Sequence, residues 1–412
     1  MDYRPIPDSD ERAFFDIGQY AFRPEEHPTD EAFEERKPYD RENRGLYDGD
    51  DLLAISGWHD FTLSLRGEWV RVGGVSSVAT PPEHRRKGYV QRMLAAMLEE
   101  FREAGIDYSA LWPFEYEFYR KYGWGTCNKR TQWTFETEAL EGVIPAPKGE
   151  FRRLSKDDIS ALRDLHEQFS TGWNLAMRRT ENWWTHRIFE SSWTDPYVYG
   201  WELDGELRAA VVYSVKSATT GMAEERTLRS WDMAYTDDEA YQQLLRFFYH
   251  HLSQMDKIHL FAAADTSLFD RVRDPRALDC EVVTGPMFRL TDVQSGLSRL
   301  LYPEDAVGSV VLDVTDSLVS WNEGTFEFSV GEGRATCEPT DAEADAAVDI
   351  ATLSQLAVGY LTPEEARRYG GLSTDSETVM DLLTAAFPRY RTYLREFFRP
   401  RRILRRTTRA GR

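Results

Sequence analysis

The sequence predicts a chain of α/β and α+β domains, in which mixed central sheets are flanked by helices. Three observations predict this fold class. The length of 412 residues is enough for two to three domains of ordinary size. A strand, an acidic turn and an amphipathic helix at 3–22 have a faint echo 148 residues further on, at 151–170, which indicates a duplicated domain rather than a solenoid. From about residue 295, alternating strands are followed by helices, as is typical of an α+β domain.

The composition is that of a folded, acidic protein. Hydrophobic residues make up 41% of the chain and aromatic residues 13%, so several packed cores are expected. Seventy acidic residues outnumber fifty basic ones, which gives a net charge of −20 and disfavours general binding to nucleic acid. Forty-two of the basic residues are arginine. Excess carboxylate together with arginine indicates a halophilic source, and an ordinary acidic, high-GC proteome is the alternative.

The sequence predicts neither a membrane span nor a metal site. No run approaches eighteen apolar residues, and the N-terminus is polar and acidic, unlike a signal peptide, so we expect a cytoplasmic protein. Cys127, Cys280 and Cys337 lie far apart without CxxC spacing, and the eight histidines show no spaced ligand set.

The stretch HRRKGYV at 84–90 is the strongest local signal of a binding site. It separates a β-branched strand at 69–80 from a helix whose apolar residues recur on one face. The first N–H groups of a helix attract anions, Gly88 lets a ligand approach the main chain, and Arg85 and Arg86 add charge-assisted hydrogen bonds. The pattern predicts an anion cradle that is neither GxxxxGK[ST] nor GxGxxG; a solvated basic turn is the alternative. The matching turn of the second copy, TDDEA, would repel an anion.

Residues 75–125 resemble the acetyl-CoA core of the GNAT N-acetyltransferases. That family's pattern is Arg/Gln-x-x-Gly-x-Gly/Ala, and here it reads Arg85-x-x-Gly88-x-Val90, with the last small position relaxed to valine. Over nearly its full length the chain is similar to the enhanced intracellular survival (Eis) type. The segments TENWWTHRIF and WNEGTFEFSV look like the later domains of that type, and the acidic composition suggests a haloarchaeal member.

The resemblance implies tandem GNAT-like domains followed by a sterol carrier protein-like α+β domain. We expect an N-terminal, acetyl-CoA-binding catalytic GNAT domain at 1–145 and a second, degenerate GNAT-like domain at 146–292. A sterol carrier protein-like domain follows at 293–398, and a basic tail with seven arginines occupies 399–412. Because the Eis type assembles into hexamers, the resemblance also implies a homo-oligomer.

The resemblance assigns roles to named residues, with acetyl-CoA as the cosubstrate and no metal. A strand that splays away from its neighbour would bind the pantetheine arm, the basic turn would wrap the pyrophosphate, and two residues after the next strand would also meet the cofactor. These residues are Val78, Ala79, Thr80, Arg85, Arg86, Lys87, Gly88, Tyr89, Val90, Gln91, Phe114 and Glu115.

Tyr119 falls at the family's general acid. An amine that attacks a thioester forms a tetrahedral oxyanion and expels a thiolate, which a nearby phenol can protonate. A thiol has a pKa of about 8.5 and a phenol of about 10, so this transfer is near balance and depends on positioning. The alternative for Tyr119 is a core tyrosine bonded to a main-chain carbonyl.

The general base is less well defined. In the Eis type, the chain's own terminal carboxylate serves as base, but here the chain continues past the usual end at Phe398 to Arg412. The carboxylate of Arg412, or Glu396 or Glu115 acting through water, could take its place. The enzyme could also accept amines that are already partly neutral.

The acidic surface and the aromatic residues near 112–118 favour a cationic amine as acceptor. Since the family acetylates aminoglycosides and some lysine amines, we expect transfer to a primary amine of a cationic small molecule or of a lysine side chain. Two alternatives remain: a non-catalytic protein that binds CoA esters or lipid, and an interaction protein that uses the basic tail.

Overall fold

The computed structural model describes residues 1–34, 40–191, 196–220 and 223–396, and these residues form three β-sheets with helices packed on them. Arg412 and the basic tail therefore lie outside the described residues. In the described part of the chain, no helix is long and apolar enough to cross a membrane. The same residues contain no group of three His, Cys, Asp or Glu side chains placed to hold a metal ion.

The first sheet has the strand order β1-β2-β3-β4-β5-β14-β6, in which β14 (Met287–Leu290) comes from much later in the chain. Strands β4 and β5 are parallel, and helix α3 connects them. The elements of this part of the chain are β1 (Asp2–Pro5), α1 (Glu11–Phe22), α2 (Asp30–Glu34), β2 (Glu42–Asp48), β3 (Asp51–Leu65), β4 (Glu68–Ala79), α3 (Tyr89–Glu103), β5 (Tyr108–Leu111), α4 (Tyr116–Arg120) and β6 (Gly125–Thr126).

The second sheet repeats this plan with the order β13-β7-β12-β11-β10-β9-β8. Helix α7 connects its parallel strands β11 and β12 as α3 connects β4 and β5. The elements are β7 (Lys129–Glu136), β8 (Glu150–Arg153), α5 (Ile159–Ser170), α6 (Glu181–Trp183), β9 (Tyr197–Leu203), β10 (Glu206–Thr220), β11 (Ala223–Tyr235), α7 (Asp238–Tyr249), β12 (Lys257–Ala263) and β13 (Leu278–Thr284).

A five-stranded sheet of order β17-β16-β15-β18-β19 forms the third domain. Its elements follow β14 (Met287–Leu290) and are α8 (Val293–Arg299), β15 (Gly308–Thr315), β16 (Gly324–Gly331), β17 (Arg334–Pro339), β18 (Ala346–Asp349), α9 (Ile350–Ala357), α10 (Pro363–Arg368), β19 (Leu372–Ser373) and α11 (Glu377–Ala386). The predicted fold class, two α/β halves and an α+β domain, is confirmed.

The first two sheets exchange strands. Strand β7 follows β6 along the chain, but it lies in the second sheet between β13 and β12. Strand β14 comes after the second sheet, yet it inserts between β5 and β6 of the first. The boundary between the two sheets therefore does not fall between residues 145 and 146. The predicted domain boundaries remain a proposal about how the sequence divides.

Helix α3 is fixed by its apolar face. Met93, Leu94, Met97, Leu98 and Phe101 recur at helical spacing and are all buried. Met93 packs against residues of β2 and β3, and the other four pack against residues of β3, β4 and β5. This contact holds the N-terminal end of the helix at the end of β4.

Candidate active site

Strands β4 and β5 part from each other and open a cleft. Their parallel pairing covers four residues of each strand and ends at Val75 and Leu111. Strand β4 continues to Ala79, whereas β5 ends at Leu111 and the chain turns into α4. The main chain of 76–79 is thus no longer bonded to β5 on that side and can bind a ligand inserted between the strands.

A β-bulge bends β4 at the cleft. Between the pairs Gly57–Ser76 and Ile55–Ala79, two residues of β4 oppose one residue of β3. Ser77 takes a φ of 54° to form this bulge, and its hydroxyl accepts a 2.7 Å hydrogen bond from Arg41 Nη1. Bulges redirect strands and are common beside active sites. The bulge turns β4 away from β5 at the point where their pairing stops.

The predicted pantetheine residues lie at this end of β4. Val78 is half-buried and Ala79 is buried. Thr80 follows, and its hydroxyl is buried without a hydrogen-bond partner. Because a buried hydroxyl normally has a partner, Thr80 has hydrogen-bonding capacity to offer a ligand in the cleft.

The basic turn has the shape of an anion cradle. Arg86 has a φ of 62° and Gly88 a φ of 78°. Gly88 is the N-cap of α3, and because it has no side chain, the first N–H groups of that helix are not capped by it. Left-handed residues in such a turn aim successive N–H groups into one concave surface. Arg85, Arg86 and Lys87 are exposed, and Arg85 Nε donates a 3.2 Å hydrogen bond to the carbonyl of Thr80.

Tyr119 packs where the cleft begins. Its side chain on α4 is only 4% exposed and belongs to one apolar cluster with Val75 and Leu111, the last paired residues of β4 and β5. Its ring contacts Phe114 edge-on, with centroids 5.4 Å apart. Phe114 is 51% exposed, and Glu115 beside it is exposed at the start of α4. The structure thus brings Tyr119 and Phe114 together at the cleft.

The side chain of Glu396 is held in a buried ionic network that sequence reasoning missed. Its carboxylate lies 2.7 Å from Arg179 Nη2, and Arg179 Nη1 lies 2.7 Å from Asp232 Oδ2. Arg395 pairs with the same aspartate. Burial alone would raise the pKa of Asp232, but Arg179 and Arg395 outweigh it and hold that pKa well below the usual range. The carboxylate of Glu396 is 3% exposed and already bonded to Arg179, so it does not face an acceptor amine.

The main chain of 391–396 lies between the first two domains. The carbonyl of Arg391 accepts a 2.7 Å hydrogen bond from the N–H of Asn174. The carbonyl of Leu394 accepts a 2.9 Å bond from Asn128 Nδ2, and that of Glu396 accepts a 2.7 Å bond from Trp112 Nε1. The segment therefore ends beside Trp112, the first residue after β5.

A cavity of about 540 Å³ lies on the α1 side of the first sheet, between that sheet and the second domain. Five carboxylates, which include Asp40 and Asp164, and four arginines line it, and one of the arginines is Arg179, which also binds Glu396. His59 lines it as well, and its Nδ1 lies 2.7 Å from the carbonyl oxygen of Asp40. Since a carbonyl only accepts, Nδ1 carries the hydrogen. Burial, reinforced by Arg41 and Arg187, lowers the pKa of His59 to about 3.

Comparison with known families matches each part of the chain. Residues 2–127 match an acetyltransferase (GNAT) domain family, and residues 175–290 match a second acetyltransferase (GNAT) domain family. Residues 293–395 match the sterol carrier protein domain family. GNAT domains take an acyl-CoA as cosubstrate.

Individual relatives share this arrangement along most of their length. The chain is 27% identical over 382 residues to an uncharacterized N-acetyltransferase of Streptomyces avermitilis, covering 87% of this chain and 89% of the relative. It is 25% identical over 363 residues to N-acetyltransferase Eis of Mycobacterium tuberculosis, covering 83% and 85%.

Solved structures share the fold. A probable N-acyltransferase of Enterococcus faecalis superposes with a TM-score of 0.86 at 23% identity, covering 96% of this chain and 99% of that one. Eis1 of Mycobacterium abscessus superposes with a TM-score of 0.78 at 22% identity, covering 97% and 100%. The three domain matches and the full-length relatives place the chain among the Eis-like GNAT N-acetyltransferases, with two GNAT domains followed by a sterol carrier protein domain.

Proposed function

We propose that this enzyme transfers the acetyl group of acetyl-CoA directly to a primary amine of a cationic small molecule or of a lysine side chain. One observation carries the proposal: β4 and β5 part directly after Val75 and Leu111, with the basic turn at one end of the opening and Tyr119 at the other. The pyrophosphate, the pantetheine arm and the sulfur of the cosubstrate then lie one after another from the basic turn, along the opening, to Tyr119.

The cosubstrate is bound by the predicted set of residues. The N–H groups and cationic side chains of 85–91 hold the pyrophosphate, and the unpaired edge of 78–80 holds the pantetheine arm. Phe114 and Glu115 border the same cleft. Val90, which departs from the family pattern, is half-buried and packs on the apolar cluster around α3 rather than filling the turn. Its size therefore gives little support to the alternative of a degenerate, non-catalytic site.

The reaction follows from these positions. The amine nitrogen attacks the thioester carbonyl, and a main-chain N–H of 76–79 stabilises the oxyanion that forms. When the C–S bond breaks, the phenol of Tyr119 gives its proton to the departing sulfur. The proton that the amine releases goes to solvent or to a base, for which Glu115 and the terminal carboxylate of Arg412 remain the candidates.

We also propose a homo-oligomer, a hexamer by the resemblance, which light scattering tests.

The net charge of −20 supports a cationic acceptor such as a polyamine, an aminoglycoside or a lysine peptide. The large cavity offers such an acceptor five carboxylates, on β3, α5 and α6 among other places. Four arginines line the same cavity, so single carboxylates rather than the charge of the whole cavity bind the amines. Arg179 connects the cavity to the segment 391–396, which contacts Trp112 at the carboxyl end of β5.

Thiol release from acetyl-CoA tests the proposal. Wild type, Tyr119→Phe and Tyr122→Phe are assayed at high and low salt with polyamines, aminoglycosides and lysine peptides; Tyr122 is a neighbouring buried tyrosine. We expect amine-dependent release that falls on the order of 10²-fold or more in Tyr119→Phe and changes little in Tyr122→Phe. Binding of CoA without amine-dependent release in the wild type would instead establish a CoA-ester binding protein.

A further inference from the structure

We propose that Arg120 is a positioning residue for this reaction, through which the sterol carrier protein domain holds helix α4 and the phenol of Tyr119 at the cleft. The inference rests on the proposed role of Tyr119 as general acid. It assigns a task in catalysis to the third domain.

The side chain of Arg120, the residue after Tyr119, reaches into the third domain. Its Nη1 donates a 3.1 Å hydrogen bond to Gln355 Oε1, and its Nη2 donates a 3.2 Å bond to Thr352 Oγ1. The same Nη2 lies 3.4 Å from Asp349 Oδ2. All three acceptors lie in the first two turns of α9 or at its N-cap.

The acceptors are themselves fixed. Thr352 Oγ1 donates a 2.6 Å hydrogen bond to Asp349 Oδ2, while its N–H binds Asp349 Oδ1 at 2.9 Å. Gln355 Nε2 donates a 2.8 Å bond to the carbonyl of Thr126 in β6, and both Thr352 and Gln355 are buried. Arg120 therefore meets a pre-organised group of oxygens, and its own position becomes defined.

Helix α4 needs such support because it has only five residues, and a helix this short has little stability of its own. The two residues after Arg120 are held from the same side. The carbonyl of Lys121 accepts a 3.1 Å hydrogen bond from Ser317 Oγ. The carbonyl of Tyr122 accepts one from Arg289, which forms a fully buried ion pair with Asp316. Three consecutive residues after Tyr119 are thus fastened through the third domain or β14.

Arg120 is the member of this group that can be changed without unfolding the chain. Removing Arg289 would leave Asp316 buried and unpaired, which is strongly destabilising. The side chain of Arg120 is 45% exposed and borders a cavity of about 270 Å³, so a shorter or neutral side chain is accommodated there.

The test compares Arg120→Met and Arg120→Lys with wild type in steady-state thiol release over a range of acetyl-CoA concentrations, at saturating amine. We expect Arg120→Met to lower kcat about tenfold, leave the KM for acetyl-CoA unchanged and leave the unfolding midpoint within error, because the hydrogen bonds of Arg120 go to α9 and not to the predicted cofactor turn at 85–91. Arg120→Lys, which keeps one donor, should recover part of the rate. An unchanged rate in Arg120→Met overturns the proposal.

Arg102→Met is the matched control. Arg102 is 50% exposed, and its Nε lies 2.7 Å from Asp292. Its guanidinium carbon lies 5.3 Å from the ring centroid of Trp321, so it also joins the first domain to the third. It does so from the C-terminal end of α3, away from α4. We expect a wild-type rate; a tenfold loss there would show that any contact with the third domain affects turnover, against a specific role for Arg120.

A double-mutant cycle separates this inference from the proposed function. If Arg120 acts through the phenol, Arg120→Met should lower the rate less than twofold in the Tyr119→Phe background. The same tenfold loss in both backgrounds contradicts action through Tyr119. A wild-type rate in Tyr119→Phe alone overturns the acid assignment of the proposed function, whereas a large loss in Tyr119→Phe with no effect of Arg120→Met overturns only the positioning role.

Discussion

The indole Nε1 of Trp112 donates a 2.7 Å hydrogen bond to the main-chain carbonyl of Glu396. Trp112 is the first residue after β5, where β4 and β5 part, and Glu396 belongs to the segment 391–396 of the third domain. The carboxylate of Glu396 binds Arg179 of the second domain. All three parts of the chain therefore meet at the edge of the candidate active site.

Trp112→Phe should weaken acceptor binding. Phenylalanine keeps an aromatic ring but loses the donor, so the carbonyl of Glu396 stays buried without it, at a cost of about 1–3 kcal/mol. We expect the KM for the amine to rise several-fold and the KM for acetyl-CoA to stay the same. Trp201→Phe is the control, because the buried Trp201 donates a similar 2.6 Å bond to the carbonyl of Lys148 in the second domain. A similar rise in amine KM in both variants would contradict the assignment.

Arg86→Glu should raise the KM for acetyl-CoA. Charge-assisted hydrogen bonds contribute about 1.5–3 kcal/mol, so losing them and adding a negative charge predicts a rise of at least roughly tenfold. Arg92→Glu makes the same charge change one turn into α3, where the exposed side chain does not belong to the turn. In about 1 M salt the Debye length is about 3 Å, so the effect of Arg92→Glu should vanish there while that of Arg86→Glu persists. Equal effects of the two variants at all salt concentrations would argue against a direct contact.

The strand-turn-helix around Gly88 could be predicted from sequence because its signals are local. A β-branched strand, Gly88 and the apolar spacing of the next helix predict a strand-turn-helix, and the structure has β4 and α3 at those residues. The left-handed φ of Gly88 is a property of that residue type. Similarly, the acidic TDDEA turn of the second copy precedes α7, where Asp237 caps the helix with its own side chain.

The strand exchange and the ionic network could not be predicted in this way. Strand β14 pairs Phe288 with Ala110, which lies 178 residues earlier in the chain. Only tertiary packing decides such a pairing. Arg179, Asp232 and Glu396 are ordinary charged residues in the sequence, and no local pattern shows that they are buried in the folded chain. The halophilic source, the cytoplasmic location and the oligomer stay predictions, as do the roles of the individual site residues.

Asp232→Asn should destabilise the fold strongly at neutral pH. It removes one partner of the buried Arg179, and breaking a buried pair costs about 3–5 kcal/mol. The pKa of Asp232 is lower in the folded chain than in the unfolded chain. Below about pH 4 the unfolded chain therefore binds a proton that the folded chain does not, and the wild type loses the stability that this ion pair contributes. Urea unfolding at pH 7 and pH 3.5 should show the difference from wild type shrinking at the lower pH. Asp60→Asn, which breaks the half-exposed pair with Arg71, should cost at most about 1 kcal/mol at either pH.

His59→Asn should make stability less dependent on pH on the acid side. Burial lowers the pKa of His59 to about 3 in the folded state, whereas an unfolded histidine titrates near 6.5. Between these values the unfolded chain binds a proton that the folded chain does not, so stability falls as pH is lowered, by up to about 1.4 kcal/mol per pH unit.

Asparagine cannot take up that proton, but its amide can still donate to the carbonyl of Asp40 as Nδ1 does now. Urea unfolding of His59→Asn between pH 7 and pH 5 should therefore show a slope smaller by close to one proton. The slope does not vanish, because burial also lowers the pKa of His166 well below its usual value. If His59→Asn kept the wild-type slope, His59 would titrate alike in the folded and unfolded chains, which would contradict a buried, neutral histidine at the wall of the 540 Å³ cavity.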